Sequence, residues 1–225
     1  MTFSLAGRCP RTGMFGAVVS SSSPAVAARC THARAGVGAA CSQNVTDPRL
    51  GRQLLDLVAA GKDADAALSA VVATAPHVSF RQLTVIDAQG HVAAYSGAGT
   101  LGRFAAHLGR QCVAAGNLLA TADVPAAMAA AFEQDPAADL GDRLLAALQA
   151  GLEAGGEEGP VRSCGMVMVR DVDWYVADLR VDWSEADPIA ELARVWEVYR
   201  PQLDDYVTRA LDPTAAPSYG VPGDV

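Results

Sequence analysis

The sequence predicts an α+β fold, a four-layer αββα sandwich of two antiparallel sheets flanked by helices. Three observations lead there. The predicted elements run strands, two helices, strands, two helices, strands, helix, a grouping that belongs to antiparallel sheet covered by helices rather than to alternating βαβ units. Runs such as Met166-Val167-Met168-Val169 are apolar on both faces, so part of the sheet must be covered on two sides. Of 225 residues, 51% are hydrophobic and 19% charged, and a sandwich with four packed faces accounts for that apolar excess.

The chain opens with short β-like runs, Phe3 to Arg8, Phe15 to Ser20, Ala25 to Cys30 and Gly36 to Ser42, which read as two hairpins. Cys9-Pro10-Arg11-Thr12-Gly13 and His32-Ala33-Arg34-Ala35-Gly36 supply the turn residues. After Asp47-Pro48 the period changes: Leu50, Leu54, Leu55, Leu57 and Val58 recur at helical spacing, Gly61 closes the segment, and Asp47 and Pro48 suit N-cap and first helical position. A second helix is expected over Ala64 to Ala75. Strands follow at Arg81 to Asp87 and His91 to Tyr95, joined at Ala88-Gln89-Gly90, and a further one at Cys112 to Ala115. Helices are expected from Asp123 to Glu133 and from Leu140 to Ala154, the latter stopped by Gly155-Gly156. Val161 to Val169 and Trp174 to Val181 form a last hairpin, before a helix from Pro188 to about Leu211. Residues 1–211 are therefore expected as one domain, with 212–225 a loosely held Pro/Gly-rich tail.

Composition excludes several classes. The 17 Lys+Arg against 25 Asp+Glu form no basic cluster of the kind phosphate contacts require, so no nucleic acid is expected as partner. No run approaches the roughly 18 apolar residues that span a bilayer, and no charged start followed by an apolar stretch marks a signal peptide, so a cytoplasmic protein without membrane contact is expected. The five cysteines are odd in number and lie among small apolar residues, as reduced core thiols do. His32, His77, His91 and His107 show no metal-ligand spacing, and neither metal nor cofactor is expected. The apolar fraction and the aromatic final helix prompt the expectation of a homodimer.

Several motifs, taken in this order, are specific in combination: Thr2-Phe3-Ser4, Ala35-Gly36-Val37-Gly38-Ala39 leading into Ser42-Gln43-Asn44-Val45-Thr46-Asp47-Pro48, Val85 to Gly90, Ala106-His107-Leu108-Gly109, Ala115-Gly116-Asn117-Leu118-Leu119, and Asp178 to Asp182. They resemble the family called domain of unknown function 1028, over nearly the whole chain up to about Tyr199. That family in turn resembles the N-terminal nucleophile hydrolases, whose fold is the same αββα sandwich. In those enzymes the first residue of the processed chain is Thr, Ser or Cys; its side chain attacks an amide carbonyl and its own α-amine, titrating near pH 7.7–8.0, is the base.

The resemblance implies Thr2 as nucleophile once Met1 is removed, acting on a small-molecule substrate through an amide or related C–N bond. The competing reading has Thr2 merely begin a strand, where β-branched residues are at home. Ser42, Gln43 and Asn44 are candidates for backbone oxyanion donors at a strand-to-helix junction, or an ordinary polar loop before a capped helix. Asn117, amid apolar residues, either completes the site or satisfies a turn. His107 is a candidate substrate contact or a structural histidine. Members of the family often carry Lys where Ser22 stands; Arg29 or Arg34 could supply fixed charge in its place. Two rivals are weaker. Gly97-Ala98-Gly99-Thr100-Leu101-Gly102 matches a dinucleotide-binding pattern but lacks the helix and acidic residue that pattern needs, and Cys164 sits in an apolar run unsuited to a reactive thiol. The alternative function is a catalytically silent sandwich that binds a small metabolite or acts as an assembly module.

Overall fold

In a computed structural model that describes residues 1–220, the sandwich is present. One sheet has six strands in the order β10-β9-β2-β1-β8-β7: Ala177–Val181, Ser163–Val169, Phe15–Ser21, Thr2–Arg8, Cys112–Asn117 and Ala105–Leu108. The other has four, β3 to β6 in chain order: Thr31–Arg34, Gly38–Asn44, Arg81–Asp87 and Val92–Ser96. Every pairing is antiparallel.

The alternation of side chains along each strand assigns the layers. On β1, Phe3 and Leu5 pack outward against α4 (Val124–Gln134) and α5 (Leu140–Glu153), in a core that also takes Met128, Phe132, Leu144 and Leu148. Ala6 points the other way, into the space between the sheets, with Ala39, Cys41, Ile86, Val113 and Val167. The outer face of the four-stranded sheet, through Ala40, Leu83 and Val85, packs on α2 (Pro48–Ala59) and α3 (Ala64–Thr74). All five cysteines are free and buried. Burial pushes the thiols of Cys41 and Cys112 up to about 12, so at neutral pH they are core side chains and not nucleophiles. Cys164 is shifted in the same direction, by burial first and then by Asp187 and Glu191.

Helix starts follow the sequence signals. Asp47 accepts the Arg49 backbone N–H at 3.1 Å, with Pro48 at the first helical position. Asp63 caps α3 through Ala66 N at 2.8 Å, and Asp187 caps α6 (Pro188–Tyr199) through Ile189 and Ala190.

Three expectations are corrected. Ala25 to Cys30 is no strand: after Pro24, Ala25 takes a left-handed φ of 51°, and residues 27–30 wind into the short helix α1 (Ala27–Cys30) with Cys30 N bonded to Val26 O at 3.1 Å. The second hairpin therefore uses Thr31–Arg34 as its first strand and turns at Ala35-Gly36-Val37, where Gly36 has a φ of 70°. Residues 105–108 form strand β7 on β8, so the helix that a dinucleotide site needs after the glycine pattern does not exist. The last helix breaks at Arg200-Pro201-Gln202, a 3₁₀ turn, before α7 (Leu203–Leu211), because Pro201 has no N–H to continue the ladder. Of the expected tail, Arg209 donates to Pro217 O at 2.8 Å and lies over the Tyr219 ring; residues 221–225 lie outside the described residues. No helix among the described residues is long and apolar enough to cross a membrane.

Candidate functional site

Thr2 is the first residue of β1 and directly opposes Asn117, the last residue of β8. The pairing Phe3↔Ser20 sets Ser21 at its other side. Thr2 Oγ1 and Ser21 Oγ lie 3.3 Å apart, and both hydroxyls donate to the Met1 carbonyl. Ser21 in turn opposes Ser163 on β9. Since Ala6, Ala17, Val113 and Val167 on these strands face the space between the sheets, the period of two puts Thr2, Ser21, Asn117 and Ser163 on the same inner face. One end of the sandwich therefore carries a polar row across four strands.

The second sheet meets this row with amides. Gln82 Oε1 accepts from Asn117 Nδ2 at 3.1 Å and from Gln43 Nε2 at 2.9 Å. Gln82 Nε2 donates to Ser96 Oγ and Gly116 O, both at 3.0 Å, while Gln43 Nε2 also reaches Ala115 O at 3.2 Å. All three amides are buried, and Asn117 Oδ1 and Gln43 Oε1 find no partner among the described residues. A buried acceptor left open is a place where a ligand donor gains most.

Charge enters from two sides. Arg29 donates to Ser23 Oγ at 2.8 Å and to the carbonyls of Pro24 and Ala25, and Ser23 Oγ lies 2.9 Å from Ser21 Oγ. A fixed guanidinium thus reaches Thr2 through two hydroxyls. Arg34 is remote, paired with Asp56 at 2.6 Å. The carboxyl of Glu157 is buried beside the N-terminal amine and Ser22; burial raises it to about 7, against the pull of both neighbours. It is carried there by the bridge between Leu119 and Glu157 and by Glu158 N donating to Leu118 O at 2.9 Å. Leu118 has a left-handed φ of 51°, a strained conformation held directly after Asn117.

Of the residues singled out by sequence, Thr2, Asn117 and Gln43 come together. Ser42 points to the other face of its sheet and donates to Asp47 O at 2.8 Å. Asn44 ends β4 with a φ of 75°, its side chain bonded to Phe80 O and Leu101 N. His107 pairs with Ala114, on the helix-facing side of β8, and is exposed. Gln82 and Glu157 had no motif to mark them, and Ser21 is one of the run Ser20-Ser21-Ser22-Ser23; a Gln among the alternating apolar residues of β5 and the pair Glu157-Glu158 after Gly155-Gly156 were the available signals.

The family model described as a family of unknown function, DUF1028, matches residues 2–192. Among solved structures, protein SPO2555 from Silicibacter pomeroyi, of the same family, superimposes with a TM-score of 0.84 at 25% identity, covering 91% of this chain and 89% of that one. Anbu, an ancestral β-subunit from Yersinia bercovieri, aligns with a TM-score of 0.42 at 10% identity, over 91% of this chain and 97% of its own. No curated protein matches the sequence. With its matched span, its αββα layers and a close structural counterpart in agreement, the chain belongs to the DUF1028 family.

Proposed function

We propose that the protein is an N-terminal-nucleophile-type hydrolase of a small amide or related C–N bond, with Thr2 as nucleophile after removal of Met1. The observation that carries this reading is the seat of Thr2: its hydroxyl lies on the inner face between Ser21 and Asn117, with the Met1 carbonyl held against it. Removing Met1 frees an α-amine and a hydroxyl on one residue and vacates the place of a carbonyl oxygen.

In the reaction, Thr2 Oγ1 forms a bond to the substrate carbonyl carbon while the Thr2 amine takes the hydroxyl proton. The oxyanion that develops occupies the position Met1 O now fills, where the Ser21 hydroxyl donates to it. The proton passes from the amine to the leaving nitrogen, the C–N bond breaks, and water then hydrolyses the Thr2 ester with the amine again as base. Asn117 orients the substrate through its open Oδ1. Intact mass of the purified protein, followed by an amide-substrate screen of the parent and Thr2→Ala, tests the proposal. Full retention of Met1, or turnover unchanged by Thr2→Ala, ends it.

A second reading is a silent sandwich that binds a small metabolite, for which the observation is that Thr2 is only 5% exposed and already hydrogen-bonded.

A further inference from the structure

The six-stranded sheet is wider than the four-stranded one. β3, the edge of the smaller sheet, lies over β2 and β9, so β10 projects beyond it with no strand of the described residues stacked on it. Along β10, Ala177, Leu179 and Val181 pack into the helix-side core, which leaves Asp178 and Arg180 facing the uncovered side. The step so formed holds two adjoining hollows of about 740 and about 290 Å³ that share Ala33, Arg34 and Tyr175. Their size falls in the range of small-ligand sites.

The chemistry of the step is divided. The smaller hollow is lined by Arg34, Arg52 and Arg180. Arg34 is paired with Asp56 at 2.6 Å and Arg180 with Asp178 at 3.2 Å, whereas Arg52 has no ion pair among the described residues. That end is left with one uncompensated positive charge. The larger hollow is walled by Trp174 and Tyr175, 39% and 37% exposed, together with Val169 and Val172. At its outer rim Asp171 is held by Arg170 at 2.9 Å, and Asp173, with no ion pair among the described residues, is a carboxylate that repels a second acidic group there. His32, 7% exposed, closes the inner end. Its ring fits only because residue 51, inside α2, is glycine: a Cβ at Gly51 would lie 2.0 Å from His32 Cδ2. A mid-helix glycine costs about 1 kcal/mol relative to alanine, so this neutral, close-packed wall is maintained against helix propensity.

We propose that this step is a binding site for a small monocarboxylic acid with an aromatic or aliphatic body. The carboxylate meets Arg52 and Arg180, and the body lies along Trp174 and Tyr175. The site is separate from Thr2: Val167, which lines the smaller hollow, lies about 13 Å along β9 from Ser163 of the polar row, at roughly 3.3 Å per residue.

Calorimetric titration of the full chain with 3-phenylpropionate, 3-phenylpropanamide and inorganic phosphate, with tryptophan fluorescence read in parallel, tests this. The acid is expected to bind and to change the fluorescence, with the amide and phosphate each weaker by about tenfold or more. Arg52→Ala and Arg180→Ala should each weaken the acid by about tenfold with an unchanged melting temperature, Trp174→Ser should do the same, and Thr2→Ala should bind as the parent does. No acid binding at millimolar concentration, equal binding of the amide, equal binding of phosphate, indifference to Arg52→Ala, or loss of binding in Thr2→Ala would each overturn the assignment.

Discussion

Thr2 and Asn117 oppose each other across the β1–β8 ladder, so a hydroxyl and a carboxamide 115 positions apart in the chain share one face at one end of the sheet. Directly opposed residues of an antiparallel pair hold their Cβ atoms about 4.5–5.5 Å apart, near enough for one small substrate group to touch both.

Replacing Asn117 with alanine removes one of two donors from Gln82 Oε1 and keeps the other, from Gln43. The expected loss of stability is accordingly modest, about 1–2 kcal/mol in urea unfolding. On the proposed mechanism kcat for an amide falls far more, about 10²-fold, because Asn117 orients the reacting group. A variant that loses stability but keeps kcat would make Asn117 a purely structural amide.

Gln82 is the hub of the buried polar layer, accepting two amide donors and donating to Ser96 and Gly116. Gln82→Leu keeps the volume but strands the Asn117 Nδ2 donor between the sheets, while Gln43 Nε2 keeps its bond to Ala115 O. At about 1–3 kcal/mol for a stranded buried group, the unfolding free energy should drop by about 1–3 kcal/mol. Parent-like stability in a chemical melt would mean that the neighbouring amides re-pair without it.

These two residues also mark the limit of what the sequence discloses. Asn117 stands out because an amide in Ala-Gly-Asn-Leu-Leu has to be explained wherever it is buried. Gln82 does not, since a polar residue at the start of a strand reads as solvent-facing until the opposing sheet is known. The layers themselves are legible because two-sided apolar strands and Asp-Pro helix starts are local signals. Residues 25–34 are misread for the opposite reason: Ala25 has β-compatible neighbours, and only its left-handed φ turns the segment into α1 and moves the hairpin forward. Ser42 and Asn44 are motif neighbours of Gln43, but strand alternation sends Ser42 away from the inner face and the end of β4 carries Asn44 to the rim. Glu157 arrives at the N-terminus through a bridge to Leu119, a long-range contact with no trace in its own neighbourhood.

Gly51→Ala should destabilise the protein although alanine is the better helix former. The new Cβ would collide with the His32 ring, whose Cδ2 lies 2.0 Å from its ideal position, and the ring is 7% exposed with little room to withdraw. Overpacking of this kind costs about 1–3 kcal/mol, more than the gain of about 1 kcal/mol in helix propensity. Adding His32→Ala removes the clash, so the double variant should melt above Gly51→Ala alone. A single variant that melts at or above the parent temperature would show that the ring is not tightly held.

His32 and Glu157 give the stability curve opposing slopes in the same pH window. Burial, with the Arg52 charge adding to it, lowers His32 to about 4, below its usual 6.5; the unfolded chain binds the extra proton between those values, so this group stabilises more as pH rises from 4 to 6.5. Burial raises Glu157 to about 7 from its usual 4.5; here the folded chain keeps the proton, so this group's contribution is full below pH 4.5 and is lost as pH rises to 7. Each shift corresponds to about 3 kcal/mol at 1.36 kcal/mol per pH unit, and the two largely cancel between pH 4.5 and 6.5. Glu157→Gln removes one slope and leaves the other. Its unfolding free energy should rise with pH across that window while the parent's stays nearly flat, and relative to the parent it should gain stability between pH 4.5 and 7. Urea titrations of both proteins at half-unit pH intervals read this directly, and parallel curves would show that Glu157 is ionised, not protonated, in the folded protein.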